Sequence, residues 1–144
     1  MNDRLSLTAR LLGFAGLLPQ LAFVGLQLVR PDPGWSLLAF AYAALILSFL
    51  GGIWWGVAAA RRAPDAALIA VSVVPTLVAM AVLFAALHLL SLRWPLVLLG
   101  SAIMLTLLVD RSLTTRGDVP VDWMRLRVPL SLGLGALTIL GAVL

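Results

Sequence analysis

WSLLAFAYAALILSFLGGIWWGVAAA, residues 35–60, holds no charged side chain. Pro33-Gly34 stands before it and Arg61-Arg62 after it. As a helix the stretch spans roughly 39 Å at ~1.5 Å per residue, more than the ~30 Å hydrocarbon core of a bilayer. Its apolar residues run on without alternation, so a membrane β-barrel strand does not suit it. A transmembrane helix does.

Four further runs read the same way: residues 11–29, 66–90, 94–109 and 128–144, none containing Asp or Arg. The expected fold is all-α, a polytopic transmembrane helix bundle of about five spans forming one integral membrane domain over residues 1–144. Composition agrees. Of the 144 residues 62% are hydrophobic and 11% charged, and mean hydropathy is +1.11. A soluble domain carries about 25% charged residues, so this chain lacks the polar groups to cover a surface facing water. Arg4 and Arg10 ahead of an apolar stretch resemble a signal peptide. The run is too long for a typical signal core and no clear A-x-A site follows it, so a retained helix is expected.

The arginines set an orientation. All ten basic residues are Arg. With five spans, Arg4, Arg10, Arg61, Arg62, Arg111, Arg116, Arg125 and Arg127 share one side, against Arg30 and Arg93 on the other. Cytoplasmic loops retain positive charge, so the N-terminus is expected inside and the C-terminus outside, in a bacterial-type inner membrane. Trp35 and Trp94 fall at the outer boundary of that arrangement, and Trp54, Trp55 and Trp123 at the inner one, as interfacial anchors. The net charge of +4 belongs to short loops beside spans, and no nucleic-acid partner is expected.

Chemistry is sparse. There is no cysteine and one histidine, His88, so neither a thiolate nucleophile nor a His/Cys metal cluster can form, and no metal or other cofactor is expected. No HExxH, Ser-Lys dyad or phosphate loop occurs, and no catalytic residue is assigned. Three groups of residues stand out. At the inner face Asp110, Arg111, Trp123, Arg125 and Arg127 form a polar cluster. Asp110 is read as ending the fourth helix, paired with Arg125 or Arg127; anionic lipid is the simplest partner of the arginines. At mid-span, Pro19-Gln20 and Pro75-Thr76 interrupt the first and third runs, each proline freeing a carbonyl one turn earlier. Packed kinks explain them. A midplane cavity lined by Gln20, Ser72 and Thr76 is the functional alternative. In the second run Ser48, Gly51, Gly52, Trp55 and Gly56 form a helix-packing motif with a GxxxG step.

The stretch from Tyr42 through Ser48-Phe49-Leu50-Gly51-Gly52 to Trp55-Gly56 resembles a hallmark of the membrane family called domain of unknown function 3429, whose animal relative is transmembrane protein sixty-nine. Val73-Val74-Pro75, Asp110 and the run Pro120-Val121-Asp122-Trp123-Met124-Arg125-Leu126-Arg127 extend the resemblance over most of the chain. The family pattern often has His where this chain has Trp54, and Thr where it has Ser131. The first departure removes a potential ligand or proton carrier. The resemblance implies the fold and carries no established activity. The expected function is therefore that of a structural or accessory protein. It would pack against lipid or a membrane partner, a second copy of itself included. The alternative is a permeation protein for a small neutral or anionic solute.

Overall fold

The computed structural model describes residues 4–144; residues 1–3, which open the expected 1–144 domain, lie outside the described residues. The described residues form six helices: α1 (Leu7–Ala15), α2 (Leu18–Val29), α3 (Pro33–Ala60), α4 (Ala66–Leu89), α5 (Arg93–Arg116) and α6 (Trp123–Gly141). Taken together, α1 and α2 make one span, so five spans are long and apolar enough to cross a membrane.

Local chemistry sets the ends. Asp32 caps α3 by accepting from the Gly34 N–H at 2.7 Å, with Pro33 opening the helix. Asp65 caps α4 through the Leu68 N–H at 2.9 Å. Gly117 closes α5 with φ of 74°, a left-handed conformation that glycine adopts without a Cβ penalty.

The first run is not a continuous helix kinked at Pro19. It breaks at Gly16-Leu17, and Pro19 sits in the first turn of α2, where its missing N–H costs nothing. The hydroxyl of Tyr42 on α3 donates to the Gly16 carbonyl at that break. Nor does Asp110 end a helix. Residues 94–109 were expected as the span, but α5 continues through Asp110 to Arg116. The charges at Asp110 and Arg127 thus lie inside helices, which the charge-free run boundaries did not anticipate.

Within the bundle α3 touches α2, α4, α5 and α6, while α5 and α6 form a closely packed hairpin and α1 rests on α6. Glycines set the closest approaches. Gly51 faces the Ser72 carbonyl and the Pro75 ring, leaving no room for a side chain. A Cβ on Gly100 would lie 2.6 Å from the Gly135 carbonyl oxygen. Without a hydrophobic drive between helices in lipid, such backbone contacts supply the association. A Cβ added at Gly52 or Gly56 would meet nothing within 4 Å. The expected GxxxG contact is therefore not made among the described residues; the neighbouring Gly51 makes a close contact instead. Trp55 is exposed on the same side and Ser48 is half-buried.

Candidate functional site

Asp110 is the most buried charge of the described residues, 1% exposed. It sits six residues before the end of α5, about 9 Å along the axis. Its position on α5 faces α3 and α6, and three donors converge on it. Arg127 Nε donates to Oδ2 at 2.8 Å. The indole N–H groups of Trp54 and Trp123 donate to Oδ1 at 3.1 and 3.3 Å. Arg127 also donates from Nη2 to Thr106 Oγ1 at 3.3 Å, and that hydroxyl donates to the Ile103 carbonyl at 2.6 Å. Thr106 and Asp110 are four residues apart, so they share one face of α5. An isolated carboxylate in this setting would be very costly. Here each oxygen has a donor and the opposite charge is adjacent, which is the condition for a buried pair to persist.

The structure brings together Asp110, Trp123 and Arg127 of the expected inner cluster. Arg111 and Arg125 are exposed and take no part. Arg116 and Asp118 belong to a separate surface network, in which Arg61 pairs with Asp118 at 2.6 Å and Arg116 with Asp65 at 3.2 Å. Trp54, expected as an interfacial anchor, is 3% exposed and is instead a buried donor to the carboxylate. An indole N–H donates but cannot shuttle a proton, so Trp54 gives Asp110 a fixed contact.

The midplane residues do not line one cavity. Gln20 is buried and donates from Nε2 to Thr138 Oγ1 on α6 at 2.9 Å. Ser72 turns back on the Ile69 carbonyl at 2.6 Å, and with Pro75 it faces Gly51. Thr76 is exposed on the outer side of α4. His88 is exposed as well, its Nδ1–H donating to the Phe84 carbonyl at 2.9 Å.

A different cavity, of about 530 Å³, adjoins the buried pair. It lies between α1 and α3 with α6 as its floor, and exposed Leu12 and Phe49 stand at its sides. Apolar side chains dominate its wall; Trp123, Arg127 and Ser131 supply its polar side chains. Ser131 is 1% exposed, and its Oγ has no hydrogen-bond partner.

Residues 6–143 match the model of a family described as protein of unknown function (DUF3429). The chain belongs to this family. Comparison with curated proteins and with solved structures gives no match. What this DUF3429 chain does must therefore be argued from its own site. Sequence reasoning missed Trp54, Thr106 and Ser131 as parts of that site. The i, i+4 steps Thr106–Asp110 and Arg127–Ser131 were the available signal.

Proposed function

We propose that the protein is a small accessory membrane protein that holds a lipid-like molecule taken sideways from the bilayer, without covalent chemistry. The carrying observation is the apolar cavity between α1, α3 and α6, with Arg127 in its wall. Its volume falls within the ~300–1,000 Å³ of small-molecule sites, and a mainly apolar wall with few polar groups is their usual make-up. The buried carboxylate is engaged by three donors, which favours a structural role over acid–base work. The arginine asymmetry supports an N-inside, C-outside arrangement in a bacterial-type inner membrane.

Passage of a small solute has less support. Between Ser131 and Thr138 the α5–α6 seam is pinched by the Gly100–Gly135 backbone contact, which separates these two hydroxyls along α6. The test is purification into nanodiscs with mass spectrometry of what is retained, paired with solute efflux from proteoliposomes. The expected result is a stoichiometric lipid or other amphiphile and no efflux above protein-free vesicles. Solute efflux with no retained amphiphile would overturn the reading.

A further inference from the structure

The cavity already proposed to hold a lipid-like molecule carries a more specific inference about the head of that molecule. Ser131 is buried at its floor with an unpartnered hydroxyl. Buried polar groups are hydrogen-bonded as a rule, and an orphan hydroxyl points to a missing partner. One turn away along α6, Arg127 uses Nε on Asp110 and Nη2 on Thr106. Its Nη1 donates to nothing among the described residues, and the residue lines the same cavity. Two donors, one neutral and one cationic, thus line one wall, where the third polar side chain, Trp123, already donates to Asp110.

Charge decides which acceptor they bind. Asp110 lies 2.8 Å from Arg127 and neutralises it. A carboxylate or phosphate head would add a second negative charge to a pair already balanced, in a low-dielectric site where an uncompensated charge is costly. A neutral carbonyl accepts from both donors without that penalty. We propose that this site takes a long apolar molecule bearing a neutral carbonyl, which accepts hydrogen bonds from Ser131 and Arg127. Ketone, quinone and ester oxygens share this chemistry.

Access comes through α1. It contains no buried residue, and the Gly16-Leu17 break separates it from α2. The Ser131 hydroxyl is itself shielded, so a ligand entering beside α1 reaches it only as the side chains of the cavity floor shift.

The test compares tridecane with methyl undecyl ketone, matched in chain length and differing by one oxygen. Binding is read as ligand-induced thermal stabilisation in nanodiscs of ether-linked phosphatidylcholine, which has no carbonyl. Both probes should stabilise the protein, the ketone binding about tenfold tighter, as one net hydrogen bond allows. Ser131→Ala removes the hydroxyl and little volume, so it should cut the ketone's advantage to what Arg127 alone supplies and leave tridecane unaffected. The infrared carbonyl band of the bound ketone should shift to lower frequency in the wild type and move part-way back in the variant. Equal binding of the two probes would overturn the carbonyl inference and leave the cavity reading standing. Failure of both to bind would overturn the two together. Repeating the ketone titration in ester-linked phosphatidylcholine identifies the source. Competition by the lipid assigns the site to a glycerolipid ester, and undiminished binding to a membrane-dissolved ketone or quinone.

Discussion

Asp110 and Arg127 are the residues on which the interior depends. Removing one partner leaves the other charge buried and unpaired, a loss of about 3–5 kcal/mol. Removing both removes that mismatch. A double-mutant cycle of Asp110→Asn and Arg127→Gln, measured by equilibrium unfolding in mixed micelles, should therefore give a coupling of at least ~1 kcal/mol. Arg125→Gln, on the exposed side of α6, should add to Asp110→Asn within ~0.5 kcal/mol. Additivity for Arg127 would mean that the pair contributes nothing to folding. Asp110, Trp123 and Arg127 were legible in the sequence, because short connections bring the ends of neighbouring spans together. Trp54 was not. Tryptophan beside the basic pair Arg61-Arg62 reads as an anchor, and only the rotation of α3 decides which of two adjacent indoles turns inward.

Helix rotation likewise separates the glycines of α3. In sequence Gly51, Gly52 and Gly56 are equally good candidates for close packing. The GxxxG spacing favours the last two. Successive residues differ by about 100° around a helix, so Gly51 and Gly52 cannot face the same neighbour. Gly51 touches α4 backbone, and Gly52 and Gly56 look into open space. Gly51→Ala should cost about 1–3 kcal/mol through overpacking. Gly52→Ala should be neutral or stabilise by up to about 1 kcal/mol, since alanine is the better helix former. Thermal denaturation of the two variants in the same detergent checks the order, and equal loss in both would place α3 in a different rotation. The first span shows the other limit of reading by run. Hydropathy carries straight through Gly16-Leu17, so the break between α1 and α2 leaves no mark in composition. Its trace is Pro19, which the structure puts in the first turn of α2 rather than at a mid-helix kink.

At the scale of the whole molecule, five spans were legible from composition and run length because lipid leaves the backbone few options. The site was less legible. Each charge-free run stops before an Asp or Arg, so Asp110 and Arg127 read as charges flanking the spans and not as charges buried within helices. In the folded chain they hold α3, α5 and α6 together at one end of the bundle, and the loosely held α1 leaves a cavity beside them. The central claim is that this cavity receives a lipid-like molecule from the bilayer. Photocrosslinking in nanodiscs that contain a phosphatidylcholine with a diazirine at one chain end tests it most directly. Adducts mapped by mass spectrometry should concentrate on the cavity wall, at Leu12, Phe49 and Leu130, and fall when an unlabelled chain competes. Adducts spread evenly over the outward faces of α4 and α5, with none at the cavity wall, would contradict it.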